Sequence, residues 1–312
     1  MNIMITGSGG QLGSEFRAMA SAYPQWNFFC FSHQDLDISE ESAVIEAMRQ
    51  CRCDIVLNCA AFTSVDKAES YQDLSFRINR DGAGVLARSA KQQGALLIQF
   101  STFGVFDGLS SRPYREDDLA APKSFYGKAK LAGENLVRST APSYLIIRTG
   151  WLYSPFGENF VRKILRMGQK RATLGVVSDR VGSPVYAADL VAAVMDMLAR
   201  IDLQQTYSAT YHYANEGVCS WYDFAVAVMK QANMPCRIFP IESTEFPVSG
   251  PRPWYSVLNN NAIKRDWGMT IPYWKDSLGR AVLRMPERTA RHRRRTVLHN
   301  ERKPGAARLP IE

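Results

Sequence analysis

Tyr126 and Lys130 stand four residues apart in the stretch Ser124–Glu134, SFYGKAKLAGE. In a helix that spacing stacks both side chains on one face, a turn apart. A phenol beside a fixed ammonium is a usable proton donor, because a close positive charge favours the phenolate and lowers the pKa from about 10. The residues after Tyr126 are good helix formers, with Gly127 and Gly133 the weak points. The competing reading is a surface helix whose Tyr and Lys are merely solvated. Thr102, at the end of the apolar run LLIQFST, is the hydroxyl placed to join them.

The chain upstream supplies elements that would position such a group. Asn2–Thr6 reads as a strand running into Gly7, Gly10, Gln11, Leu12 and Gly13, then a helical stretch to about Ala20. Glycines at these positions suit a dinucleotide: one for the tight turn, one for approach to the pyrophosphate, one for close helix–strand packing. The helix N-terminus then offers free N–H groups to phosphate. Asn27–Ser32 is the second strand, ending in Ser32-His33 with no acidic residue for a ribose 2′-hydroxyl, which tilts the cofactor toward NADPH, with NADH as the alternative. Asp37 and Ile38 are placed to line an adenine pocket, and Ser39 to cap the next helix. Asp54–Asn58 ends in Cys59-Ala60-Ala61, small residues that leave room for a ligand. A long helical pattern over Leu74–Gln93 carries Asn79, and Tyr144–Arg148 is a further strand. Strands alternating with helices predict an α/β fold, a doubly wound parallel sheet of Rossmann type. The expected organisation is a dinucleotide domain over 1–150, rejoined by 185–215, a smaller substrate-binding lobe over 151–284, and a basic tail over 285–312.

At 312 residues the chain can bury a sizeable core. Its six cysteines are scattered, without a CxxC pair, so neither a zinc site nor a disulfide framework is indicated. No apolar run reaches bilayer length, and MNIMITG reads as a strand rather than a signal segment, so a cytoplasmic location and no membrane association are expected. Glu15 and other carboxylates expected to be exposed form no metal-ligand cluster, and no metal is expected. The net charge of +8 is concentrated: from Met285 onward eight Lys/Arg face three Glu, a net of +5, which leaves +3 for the body. The tail lacks interleaved aromatics, so a solvated appendage is expected and no nucleic-acid partner.

The segments TGSGGQLG, NCAAFTSVDKAE, Ser101-Thr102, VFDG, PYREDD, YGKAKLAGE, RTGWLY, VGSP, ANEGVCSWYDFA and RPWYSVL occur in this order. Together they resemble the extended short-chain dehydrogenases/reductases, and closely the dTDP-4-dehydrorhamnose reductases of bacterial deoxysugar synthesis, over residues 1 to about 280. The resemblance implies a Thr–Tyr–Lys set on Thr102, Tyr126 and Lys130 and NADPH-dependent reduction at C4 of a dTDP-linked 4-keto-6-deoxyhexose. It implies dinucleotide contacts from Gly7, Gly10, Gln11, Leu12, Gly13, Asp37, Ile38, Ala60, Ala61, Asn79, Tyr126 and Lys130. It places Thr102, Phe103 and Trp151 beside the sugar and Arg252 near the diphosphate, with a homodimer left open. The family pattern has Asp-Tyr where this chain has Phe103-Gly104, and Gln where it has Arg180. A carboxylate and a phenol are therefore missing from the expected sugar wall. Two other readings stand beside this one: reduction of a different nucleotide-linked 4-ketosugar, and a non-catalytic regulatory subunit on the same fold.

Overall fold

The computed structural model describes residues 1–246 and 250–285, so the expected basic tail beyond Met285 lies outside the described residues. Met285 itself is buried. Strand β1 (Asn2–Thr6) is followed by β2 (Asn27–Phe31), β3 (Ile55–Asn58), β4 (Leu96–Thr102) and β5 (Tyr144–Thr149). β3 and β4 are buried along their whole length because helices cover both faces of the sheet, and their buried polar residues Asn58 and Gln99 pair with each other at 2.7 Å. The spatial order is Ser208–His212, β5, β4, β3, β1, β2, all parallel. The order reverses between β1 and β3, which opens a crevice at their carboxyl ends. Within the stretch 185–215 expected to rejoin the first domain, the strand Ser208–His212 pairs with β5.

Alternate residues of each strand face opposite layers. Ile3, Ile5, Ile98, Phe100 and Ile147 meet Leu12 and Phe16 of the helix Gln11–Ala20 and Leu190 and Val194 of the helix Ala187–Arg200. Met4, Val56, Leu97 and Ile146 meet the helices Glu41–Cys51, Gly82–Gln93 and Phe125–Thr140. A second cluster, built around Tyr153, Phe224 and Trp274, closes over residues 153–285. Among the described residues no helix is long and apolar enough to cross a membrane.

Three local expectations are corrected. The helix expected over Leu74–Gln93 is interrupted by a π turn at Arg77–Asp81. Gly133 of the Tyr126 helix explains what the widened turn accommodates: a Cβ there would lie 2.2 Å from the Asn79 carbonyl oxygen, so the two helices touch backbone to side. Ser39 does not cap the helix Glu41–Cys51; its hydroxyl donates to Asp37 Oδ1 at 2.7 Å, a tight local turn that takes the side chain away from the helix N–H groups. Glu15 is not exposed. It is 2 % accessible, accepts from Ser154 Oγ at 2.9 Å and is paired with Arg284 at 3.0 Å, because Arg284 closes over it from the last described helix.

The loop 106–123 is clipped to the sheet edge by His212. Its backbone N–H donates to Glu116 Oε1 at 2.9 Å, and its ring nitrogen Nδ1 lies 3.1 Å from the Tyr114 carbonyl. Burial, and then the neighbouring Arg148 charge, push the His212 pKa down to about 3. The imidazole is thus held neutral in the folded protein, whereas an unfolded chain takes up a proton near 6.5. The stability this represents is complete above pH 6.5 and is lost as the pH falls toward 3. The thermal midpoint is therefore expected to decline steadily below pH 6.5, and a His212→Asn variant to show a shallower decline; equal slopes would rule the histidine out as the cause.

Candidate active site

The glycine turn after β1 is built by close backbone approach. Gly7 has φ +63, and a Cβ on it would lie 2.6 Å from the Ala60 backbone; a Cβ on Gly13 would lie 2.4 Å from the Gly7 carbonyl oxygen. Gly10 is the extended N-cap of the following helix, with no side-chain cap and no acidic residue in the first turn. Its N–H groups therefore face the crevice without internal competition, an arrangement that fits an anionic pyrophosphate. Gln11 lies against Gly157, and its Oε1 is buried without a partner. These features fit a dinucleotide. Leu12 and Ile38 are core side chains.

Asp37 accepts from Ser39 and lies 3.4 Å from Arg77. A carboxylate does stand against the end of β2: Asp35 turns back to accept from Ser32 N at 2.8 Å and Ser32 Oγ at 2.6 Å. Asn79 is 3 % exposed, and its amide grips Phe62 twice, donating to the carbonyl at 2.9 Å and accepting from the N–H at 3.1 Å. The side chain thereby holds the Ala60–Phe62 segment in place rather than turning toward the crevice.

The helix Phe125–Thr140 starts where Ser124 Oγ accepts from Gly127 N at 3.1 Å. A Cβ on Gly127 would lie 2.1 Å from the Gly104 carbonyl oxygen, so this glycine lets the helix start close against the end of β4. Thr102 ends β4, is buried, and accepts from Gly104 N at 3.0 Å. A Cβ on Gly104 would lie 3.4 Å from Thr102 Oγ1 and 3.9 Å from Tyr126 Cδ1, so the hydroxyl and the tyrosine ring flank one point. Lys130, one turn on, is 4 % exposed and donates to the Phe100 carbonyl at 2.7 Å. Thr102, Tyr126 and Lys130 are thus brought together at the carboxyl edge of the sheet.

The expected lowering of the phenol is overturned. Burial pushes the Tyr126 pKa up to about 12, outweighing the opposing effect of the Thr102 hydroxyl. Lys130 is itself pulled down to about 8, chiefly by burial and against the pull of Glu134. The low dielectric around the pair penalises both charged forms, and this outweighs the pull of the ammonium on the phenolate. Tyr126 is consequently a fully protonated donor at neutral pH.

On the opposite wall Trp151 has φ +49, a region that bulky residues rarely adopt. Its ring stacks on Trp221 at 3.9 Å between centroids. The Phe103 ring covers Gly150, where a Cβ would meet it at 1.9 Å. Arg252 Nη2 is paired with Asp66 at 2.9 Å, which ties the 250–252 segment to the region after β3. It lines a cavity of about 340 Å³ together with Arg180, Trp221, Ser243, Phe246 and Trp254. Arg180 lies flat on Trp254, 3.6 Å from the ring centroid, and donates to Ser243 Oγ at 3.3 Å. The sequence marked Arg180 only as a substitution; its pairing with Trp254, 74 residues later, has no local signal. Glu134 was missed as well, although Tyr126, Lys130 and Glu134 recur at four-residue intervals on one helix face. Its carboxylate is fully buried and accepts from Arg148 Nη2 at 2.8 Å and Arg138 Nη2 at 2.8 Å.

A family model described as the RmlD substrate binding domain matches residues 1–286. The spore coat polysaccharide biosynthesis protein SpsK of Bacillus subtilis is 38% identical over 277 residues, covering 88% of this chain and 95% of that protein. A dTDP-4-dehydrorhamnose reductase of Sinorhizobium fredii is 35% identical over 288 residues, covering 90% and 97%. The crystal structure of a dTDP-4-dehydrorhamnose reductase from Bacillus anthracis in complex with NADP superposes with a TM-score of 0.85 at 35% identity, covering 90% of this chain and 98% of that one.

Proposed function

The chain belongs to the RmlD substrate binding domain family, and from that premise we propose that its carboxyl-edge site reduces the C4 keto group of dTDP-4-dehydro-L-rhamnose to dTDP-L-rhamnose with NADPH, a step of polysaccharide biosynthesis. The observation that carries the residue assignment is the meeting of Thr102 and Tyr126 beside Gly104, with Lys130 one turn on and tied to the Phe100 carbonyl of the same strand. When bound, NADPH supplies the hydride that reaches the carbonyl carbon. Thr102 holds the carbonyl oxygen through its hydroxyl, and Tyr126 delivers its phenolic proton to the oxygen as negative charge develops there. Lys130 holds the nicotinamide ribose with its ammonium and offsets charge near Tyr126. The Gly7–Gly13 turn holds the pyrophosphate, and Asn79 fixes the Ala60–Phe62 segment that flanks the adenosine half.

Trp151, Phe103 and Gly104 form the sugar wall, an apolar face and an open position in place of two polar side chains. The nucleotide end of the substrate lies in the cavity beside Trp221 and Trp254, with Arg180 and Arg252 at its margin, since aromatic faces and guanidinium forks suit a base and a diphosphate. In this reading residues 1–150, with 185–215, carry the dinucleotide and 151–284 carry most of the sugar nucleotide contacts. The protein acts as a cytoplasmic enzyme, and a homodimer is its simplest assembly.

Consumption of NADPH with dTDP-4-dehydro-L-rhamnose, followed by the loss of nicotinamide absorbance, tests this, with kcat/KM taken as a function of pH. Because kcat/KM reports groups of the free enzyme, it is expected to fall above about pH 8 as Lys130 loses its proton, with Tyr126 still protonated there. A protein that binds NADPH but leaves this sugar unchanged would redirect the assignment to another 4-ketosugar.

A further inference from the structure

Thr149 is the last residue of β5 and pairs in register with Thr102, the last residue of β4. Register partners on neighbouring parallel strands are about 5 Å apart and share a face, so the Thr149 side chain stands beside the Thr102 hydroxyl. Thr149 is 5 % exposed, and its Oγ1 is fully buried without a hydrogen-bond partner. A buried hydroxyl left unpaired is costly to the folded state and calls for an explanation. The residues alternating with it, Ile147 and Leu145, belong to the core shared with Leu12 and Phe16 of the first helix. Thr149 therefore faces the side from which a dinucleotide descends off the Gly7–Gly13 turn, where another of the unpartnered buried oxygens, Gln11 Oε1, also lies.

Resting on the NADPH reading above, we infer that the Thr149 hydroxyl is a positioning group for the nicotinamide carboxamide. The carboxamide is the only hydrogen-bonding substituent of that ring, and a hydroxyl can both donate to its oxygen and accept from its amide. One such bond restricts rotation of the ring about its glycosidic bond and so fixes which face of C4 is turned toward the sugar. Thr102 and Tyr126 orient the carbonyl; Thr149 orients the hydride donor.

The test compares Thr149→Val, which keeps the shape and removes the hydroxyl, with Thr149→Ser, which keeps the hydroxyl. Affinity for NADPH is measured by titration of cofactor fluorescence, stability by thermal melting without cofactor, and stereospecificity by transfer of deuterium from NADPH labelled on one face of C4. Thr149→Val is expected to bind NADPH about fivefold more weakly, to melt no lower than the wild type, and to transfer label from both faces. Thr149→Ser is expected to restore affinity and single-face transfer. A Thr149→Val protein that binds NADPH as the wild type does, with one-face transfer, overturns the inference. So does one that loses affinity only in proportion to a lowered melting temperature, since that is a packing effect. Failure of the wild type to bind NADPH would instead sink the cofactor reading on which the inference rests.

Discussion

A Tyr126→Phe variant is expected to turn over dTDP-4-dehydro-L-rhamnose about a thousandfold more slowly than the wild type, the scale of losing a positioned general acid. The half-buried phenol lies beside Thr102 and is held protonated, with its pKa pushed up to about 12. A ketone accepting hydride without a proton donor must carry a full alkoxide charge in a site that already penalises charge, and Lys130 alone does not remove that cost. The ring itself stays in place in the variant, so NADPH affinity and melting temperature should hold near wild-type values. Rates within tenfold of the wild type would show that the proton comes from elsewhere.

Replacing Arg148 with Met is expected to destabilise the fold by about 3 kcal/mol, the typical cost of removing one partner of a buried ion pair. Glu134 has a fully buried side chain, and Arg148 is 4 % exposed on its side-chain surface. The guanidinium approaches from β5 with Nε at 3.0 Å and Nη2 at 2.8 Å. Burial pushes the Glu134 carboxyl up, but hydrogen bonds and charge from Arg148 more than offset this and hold it below its ordinary 4.5. A carboxyl depressed in the folded state contributes stability that is complete above 4.5 and is lost as the pH falls through the folded value. Urea unfolding should show the Arg148→Met loss at neutral pH, and a Glu134→Gln/Arg148→Met double variant should recover part of it. If Arg148→Met unfolds within 1 kcal/mol of the wild type, pairing with Arg138 suffices for the carboxylate, and the 2.8 Å Arg148 contact is dispensable.

Both predictions concern one helix face, and its residues differ in how far the sequence revealed them. Tyr126 and Lys130 were visible because a helix converts a spacing of four into a shared face. Glu134 has the same spacing, yet its partner Arg148 comes from β5, and Arg148 in turn meets His212 on the neighbouring strand. The glycine turn was legible for a similar reason: only residues without a Cβ permit the contact of Gly7 with Ala60. Ser39 looked like a helix cap by type, but its own neighbour Asp37 captured the hydroxyl first. Asn79 had the composition of a ligand, whereas a π turn aims its amide at Phe62.

Local covalent rules therefore determined the alternating strands and helices, the dinucleotide turn and the spacing of the proton-transfer pair, since each depends on residues within about one helical turn or strand. Tertiary structure alone decided the protonation of that pair, the burial of Glu15 under Arg284, the stacking of Arg180 on Trp254 and the placing of Thr149 beside Thr102. These depend on desolvation and on contacts between segments tens to hundreds of residues apart. Neither is encoded in any short stretch of chain; both exist only once the sheet and its helices have excluded water.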